Sequence, residues 1–235
     1  GVFRTHGIRE YAEIGTDGSI RPEEMDQQGS ELRVLCKYQD LKKVMPILKS
    51  YLEMVKAKVN ESCGLHIHLD MRGKDVAKAY ANLIAKQEQM YRSIPAYRKD
   101  STYCEPVDSD DAARILASLD YKPLKRDDVV KEVNAMFKKL KIADVMNDYD
   151  TDEIIGMIMN NDDDLSNVDT NHYDAISAEP FISGKYKTLE IRIHEATTDV
   201  SEIQDWVTYL YDVAFKGTLS ESSASYIKRR IRKHG

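Results

Sequence analysis

The architecture of this chain follows from residues 62–70, which run Ser62-Cys63-Gly64-Leu65-His66-Ile67-His68-Leu69-Asp70. Side chains of a β-strand alternate between its two faces. One face is therefore apolar, with Leu65, Ile67 and Leu69. The opposite face carries His66, His68 and Asp70. The pattern predicts a strand that buries one face and gathers two imidazoles and a carboxylate on the other.

A second strand far downstream has the same design. Residues 188–194 run Thr188-Leu189-Glu190-Ile191-Arg192-Ile193-His194, which places Glu190, Arg192 and His194 on one polar face. A polar strand face is by default solvated. Two imidazoles beside a carboxylate and an arginine instead form a group suited to metal and phosphate. The pair of strands therefore predicts a site.

Residues 31–35 alternate in the same way and supply a third polar face, with Glu31 opposite Leu32. A short strand around Arg9–Ile14 precedes it, closed by an Asp-Gly turn. If the three polar strands lie in one antiparallel sheet, their polar side chains converge: Glu31, His66, His68, Glu190 and Arg192. The predicted fold is therefore α+β, a curved antiparallel sheet backed by helices.

Apolar residues recur every three or four positions in three long segments, which predicts amphipathic helices. These are Asp40–Val59, Asp75–Ile94 and the segment after the capping pair Asp199 and Glu202. Residues 106–172 alternate short helical patterns with acidic loops, and we expect a helical insertion or lid. The patterns cover Asp110–Leu119, Asp127–Leu140 and Thr151–Met159. Residues 218–235 are predicted to form a basic C-terminal helix, whose charges suit the helix dipole.

Length and composition limit the classes of protein. The 235 residues are expected to form a single domain, 1–235, with 42% hydrophobic and 31% charged residues, as in ordinary globular proteins. A net charge of −6 argues against general nucleic-acid binding. Three cysteines without a CxxC pair fit a reducing compartment. No apolar run approaches a membrane span and no signal peptide is evident, so we expect a cytoplasmic protein without membrane partners. An oligomer is left open.

The polar faces allow two kinds of chemistry. Carboxylates with an imidazole can hold Mg²⁺ or Mn²⁺, and an arginine beside them offers fixed donors to phosphate oxygens. Those are the parts of a phosphoryl-transfer site. The HxH pair is also a familiar zinc arrangement, so a zinc-dependent hydrolase stays an alternative.

Four motifs, in order, resemble those of the amidoligase family, whose members have the glutamine synthetase fold. Val59-Asn60 followed by Cys63–Asp70 is similar to the family's V-N-x-x-C-G-L-H-V-H-V, and Thr188–His194 to its T-I-E-F-R-x-H. Asp17–Ile20 followed by Gly29–Leu32 resembles D-x-S-I then G-x-E-L. Arg98 with Tyr103-Cys104 resembles its R…Y-C segment. The resemblance runs from about residue 10 to residue 215.

The resemblance implies a glutamine synthetase-like fold and an ATP-dependent carboxylate–amine ligase, which forms an amide through an acyl phosphate. It implies ATP and Mg²⁺ (or Mn²⁺) as cofactors, and a small-molecule or peptide carboxylate and an amine as substrates. By position, the metal ligands are Glu31, His66 and Glu190. The catalytic residues are Arg192, His68 and Glu190. The nucleotide contacts are His68, Arg192, Ser177 and Arg98.

The sequence departs from the family pattern at two places. Gly1–Thr5 has the glycine but not the acids of the family's G-x-E-x-E strand, and Ser177 stands where R-Y-x-A-V-N has asparagine. These departures keep open a catalytically impaired nucleotide- or peptide-binding module of the same fold.

Overall fold

The computed structural model describes residues 12–16, 20–22, 29–120, 125–128, 130–131, 134–135, 155–156, 159, 170–171 and 173–235. The chain divides into two compact units, Gly1–Pro106 with His172–Gly235, and Val107–Asn171. The first unit carries both sheets. The second contains a helix, Ser109–Asp120, where the sequence predicts Asp110–Leu119. The other two helical patterns of the insertion lie largely outside the described residues, and the lid stays a prediction.

The described strands form two small antiparallel sheets, so the fold is α+β. Strand β1 (Ala12–Thr16) pairs with β2 (Ser30–Val34). The second sheet contains β3 (Ile67–Asp70), β4 (Ile176–Ser177) and β5 (Thr188–Ile191), in the order β3-β5-β4.

The expectation that one sheet carries all three polar faces is wrong. Strand β2, which bears Glu31, pairs with β1 from Ala12↔Val34 to Thr16↔Ser30. The apolar side of this hairpin, including Leu32 and Val34, packs against the helix that follows it. Strand β2 therefore belongs, with β1, to a two-stranded sheet packed on that helix, separate from the sheet that contains β3 and β5.

Eight α-helices have both ends within the residues that the structure describes, and two single turns accompany them. They are α1 (Leu41–Met54), α2 (Val76–Ile84), α3 (Gln87–Tyr91), α4 (Ala96–Lys99), α5 (Ser109–Asp120), α6 (Glu179–Ile182), α7 (Val200–Tyr211) and α8 (Glu221–His234). A 3₁₀ turn, Tyr38–Asp40, precedes α1, and a π-helical turn, Asp212–Lys216, extends α7. No helix among the described residues has both the length and the apolar character to cross a bilayer.

Side-chain caps define where the main helices begin. Asp75 accepts a hydrogen bond from the Lys78 amide at the start of α2, and Asp199 accepts one from the Ser201 amide at the start of α7. These carboxylates satisfy amides that lack an intrahelical acceptor. The helix predicted over Asp75–Ile94 is interrupted after residue 84, so it is two helices rather than one.

The core lies between the helices and the apolar strand faces. Helix α1 buries five residues against Val200 of α7: Leu41, Val44, Met45, Leu48 and Tyr51. On the other sheet Leu189, Ile191 and Ile193 are fully buried, which confirms the apolar face predicted for the downstream strand. Burial of each such side chain contributes ~1.5–3 kcal/mol to folding.

Candidate active site

The register of β3 against β5 brings the two predicted polar faces together. His68 lies directly opposite Glu190. One oxygen of that carboxylate, Oε1, lies 3.1 Å from His66 Nδ1, 3.3 Å from Arg192 Nε and 3.7 Å from His68 Nε2. We call these four residues the β3–β5 cluster. The structure thus unites four of the residues that the sequence predicted for the site.

The β3–β5 cluster has a buried base and an exposed rim. The side chains of Glu190 and Arg192 are only 6% and 9% exposed, whereas those of His66 and His68 are 30% and 43% exposed. A molecule that approaches from solvent therefore meets the imidazoles first and the carboxylate–guanidinium pair behind them. Because Arg192 is buried against a fixed carboxylate, its donors are held in place before any ligand arrives.

The surroundings of the cluster shift the pKa of two members in the same direction. Burial alone would raise the pKa of the Glu190 carboxyl, but the hydrogen bond from His66 and the nearby His68 and Arg192 hold it below its ordinary value. Burial lowers the pKa of His68, and the Glu190 carboxylate offsets this only in part. At neutral pH the cluster therefore combines an ionised carboxylate with a neutral His68.

Arg192 has further contacts that fix its backbone and its side chain. Its amide donates to the Ala175 carbonyl at 2.9 Å, and its guanidinium carbon lies 5.9 Å from the ring centre of Tyr173. Tyr173 in turn meets Tyr103 edge to face at 5.5 Å. Neither tyrosine was predicted as a site residue, although Tyr103 stands in the R…Y-C motif.

Ser177 lies beside the cluster on the neighbouring strand. It is fully buried and directly opposite Glu190 in the β4–β5 register, so the two side chains share a face. Its hydroxyl accepts a hydrogen bond from the Glu179 amide at 3.3 Å. His68, Glu190 and Ser177 thus form a row across the three strands, and a nucleotide contact of Ser177 stays a prediction.

Arg98 lies under the strand. It is 3% exposed, and its guanidinium donates to the carbonyls of Arg192 at 2.6 Å and Ile193 at 3.4 Å. Both of these hydrogen bonds go to the backbone of the strand. A contact of Arg98 with nucleotide stays a prediction.

Glu31, predicted as a metal ligand, lies outside the cluster and in the other sheet. Its carboxylate pairs with Arg33, with Nη2–Oε2 at 2.6 Å, and Arg33 also reaches Glu13 at 3.3 Å. The placement of Glu31 follows from the separate β1–β2 sheet.

The donor set of this region does not by itself complete a site for a divalent cation. Among the residues that the structure describes, no group of three or more His, Cys, Asp or Glu side chains is arranged to hold a metal ion. The one buried carboxylate of the cluster is already contacted by an imidazole and a guanidinium. The metal-ligand set Glu31, His66 and Glu190 therefore stays a prediction.

The alternation predicted that His194 shares the polar face with Glu190 and Arg192. This prediction is wrong. His194 is fully buried, where Nδ1 donates to the Glu195 carbonyl at 2.6 Å and Nε2 lies 3.1 Å from the Tyr226 hydroxyl. Burial lowers the pKa of His194, and the nearby Glu195 only partly offsets it, which agrees with a neutral imidazole that donates once and accepts once.

A β-bulge explains the misplacement of His194. Ile67 lies opposite Ile191, whereas Gly64 lies opposite Glu195. Three steps along one strand therefore match four steps along the other, so the downstream strand carries one extra residue. An extra residue breaks the alternation of side chains and bends the strand. The polar face of the downstream strand consequently ends at Arg192.

Comparison with known families agrees with the four motifs. A family model described as "putative amidoligase enzyme" matches residues 14–214, which include every member of the β3–β5 cluster. No curated protein and no solved structure matches the chain. The family match confirms the resemblance drawn from the four motifs. The chain belongs to the amidoligase family.

Proposed function

We propose that this protein is an ATP-dependent carboxylate–amine ligase with a glutamine synthetase-like fold, and that Mg²⁺ enters as the counter-ion of ATP. The observation that carries the proposal is the buried Glu190–Arg192 pair behind two imidazoles, in a chain of the amidoligase family. A guanidinium held at the base of a polar cluster suits the oxygens of a phosphate that is being transferred.

The reaction has two steps. A carboxylate oxygen of the first substrate attacks the γ-phosphorus of ATP, the bond from that phosphorus to the bridging oxygen breaks, and an acyl phosphate and ADP form. The amine of the second substrate then attacks the acyl carbon, loses a proton and expels inorganic phosphate, which leaves an amide. Phosphorylation is required because a free carboxylate is a poor acyl donor.

The residues of the cluster have separate tasks in this scheme. Arg192 donates to the oxygens of the transferring phosphoryl group, where negative charge is concentrated. Glu190 holds the guanidinium of Arg192 in place through the 3.3 Å contact. His66 and His68, at the exposed rim, face the incoming substrates. Mg²⁺ bound to ATP would neutralise part of the phosphate charge.

The first test is calorimetric titration with Mg·ATP. The parent is expected to bind, and Arg192→Ala to bind about tenfold to a hundredfold more weakly, as for loss of a hydrogen bond to a charged group. Arg72→Ala is the matched control, because Arg72 is exposed and pairs with Asp70 at the far end of β3. Failure of the parent to bind, or equal affinities of the parent and Arg192→Ala, would contradict the proposal.

The second test separates the ligase from the two alternatives. A ligase releases ADP only when a suitable carboxylate is present and forms an amide only when an amine is added. A catalytically impaired module would bind Mg·ATP without releasing ADP with any combination of acids and amines. A zinc hydrolase would carry one zinc ion per chain that is lost in His66→Ala. The family match favours the ligase over both alternatives.

A further inference from the structure

The segment from Arg98 to Cys104 lies against the backbone of the strand that carries Arg192. The Arg98 guanidinium donates from Nη2 to the Arg192 carbonyl at 2.6 Å and from Nε to the Ile193 carbonyl at 3.4 Å. The thiol of Cys104 approaches the same Ile193 carbonyl at 3.9 Å, and the Tyr91 hydroxyl donates to the Cys104 carbonyl. Two consecutive carbonyls of the strand are thus bound from one side.

These two carbonyls lie in the β-bulge. Regular pairing of β3 with β5 ends at Ile191, and strand-like pairing resumes at His194, whose carbonyl accepts from the Leu65 amide at 3.0 Å. The extra residue leaves the carbonyls of Arg192 and Ile193 between the two paired stretches. Buried carbonyls need donors, and Arg98, itself almost fully buried, supplies them.

Gly64 provides the space that this contact needs. A Cβ at position 64 would lie 2.6 Å from Arg98 Nη2 and 3.1 Å from His66 Nε2. The guanidinium therefore lies where any other residue would place its side chain, and the close approach joins Arg98 to both strands. This requirement accounts for a glycine immediately before the Leu-His-Ile-His pattern.

We propose that Arg98 is a positioning residue, which binds the carbonyls of the β-bulge and thereby aims the Arg192 guanidinium at Glu190. On this proposal Arg98 acts through Arg192 and does not contact the nucleotide. The support of the bulge is a property of the fold alone. Its consequence for Mg·ATP rests on the proposed function.

Amide hydrogen exchange tests the support without any ligand. Arg98→Met is compared with Arg92→Met, which removes the same charge from an exposed neighbour. The amides of Leu65 and Arg192 are expected to exchange about tenfold or more faster in Arg98→Met alone. The amide of Met71 bonds at the far end of the same strand pair and is expected to be unchanged.

Two results of this experiment would overturn the proposal. One is unchanged exchange at Leu65 and Arg192. The other is an equal acceleration at Met71, which would mean that Arg98 supports the whole fold rather than the bulge. Should Arg98→Met fail to fold, Arg98→Lys provides the same comparison, because lysine keeps the charge but lacks the planar fork of donors that Arg98 directs at the two carbonyls. It is expected to restore only part of the protection.

Nucleotide binding tests the consequence. If Arg98 acts through Arg192, Arg98→Met is expected to weaken the binding of Mg·ATP by about tenfold. The binding of Mg·ADP should weaken much less, because Arg192 donates to the γ-phosphate. The same change in an Arg192→Met background then has no further effect, as a double-mutant cycle would show. Equal losses in both backgrounds would mean that Arg98 contacts the nucleotide independently and would overturn the proposal. If the parent does not bind Mg·ATP, the proposed function fails, and hydrogen exchange alone decides whether Arg98 positions the bulge.

Discussion

Replacement of Arg230 by methionine is expected to destabilise the fold strongly. Arg230 is 2% exposed and bonds three groups at once. Nη1 donates to Glu202 at 2.6 Å, Nη2 donates to both oxygens of Glu195 at 2.6 and 2.7 Å, and Nε donates to the Ser93 carbonyl at 3.0 Å. One side chain of α8 thereby fastens the segment after β5, the start of α7 and the turn after α3.

The magnitude follows from what the substitution leaves behind. Methionine fills much of the space but donates nothing, so two half-buried carboxylates and one carbonyl lose their donor. Removal of one partner from a buried ion pair costs ~3–5 kcal/mol. Since Glu195 and Glu202 retain some access to water, we expect Arg230→Met to lower the free energy of unfolding by about 3 kcal/mol, the lower end of that range.

The stability that Arg230→Met loses should also depend on pH. Burial raises the pKa of Glu195, but His194 and Arg230 outweigh burial and hold that pKa below its ordinary value. A carboxyl whose pKa is depressed by folding contributes stability above its unfolded-state pKa and loses it as pH falls through the folded-state value. The variant lacks the part of this contribution that Arg230 supplies, so the difference from the parent should shrink as pH falls below about 4.5.

Denaturant unfolding at pH 7 and at lower pH measures both effects. Arg229→Met is the matched control, because Arg229 is the exposed neighbour and its contact with Asp205 at 3.3 Å is worth about 1 kcal/mol or less. The reasoning is refuted if Arg230→Met loses no more stability than Arg229→Met, or if acid leaves the difference between parent and variant unchanged.

Two further predictions concern stability and strand pairing. Burial opposes ionisation of Asp212, yet hydrogen bonds from Lys216 and Ser220 hold the pKa of its carboxyl far below its ordinary value. Asp212→Asn should therefore lower the free energy of unfolding in urea by about 2 kcal/mol at pH 7. The difference from the parent should become smaller as pH falls below about 4. Gly64→Ala should cost ~1–3 kcal/mol, because its Cβ would displace the Arg98 guanidinium; a melting temperature equal to that of the parent would contradict this.

The alternation of apolar and polar residues predicted the members of the β3–β5 cluster, because this pattern depends only on a few neighbouring residues. Leu189 and Ile191 had to be buried, which forced Glu190 to the opposite face, and the same argument placed His66 and His68. The pairing of β3 with β5, with His68 opposite Glu190, then brings the imidazoles to the carboxylate. Helix starts marked by aspartate caps were predictable for the same reason.

Long-range pairing was not predictable from local pattern. Nothing in the alternation of Glu31 and its neighbours distinguishes a strand that joins β3 from one that pairs with β1, because both bury the same side chains. The burial of charged side chains was equally unpredictable from the sequence pattern. Arg230 looks like one basic residue among several near the end of a helix, and only the folded chain sets it against Glu195 and Glu202.

The β-bulge connects these unpredicted features to the predicted ones. Arg98 binds the carbonyls of Arg192 and Ile193 on one side, and Arg230 binds Glu195 two residues later. Two buried arginines from different helices therefore hold the short segment in which the strand departs from regular pairing. Helix α8 lies beyond residues 14–214, the part matched by the family model, yet it supplies one of these two contacts. If the bulge depends on both, Arg230→Met should accelerate exchange of the Leu65 amide as well as lower stability, and the C-terminal helix then belongs to the framework that positions Arg192.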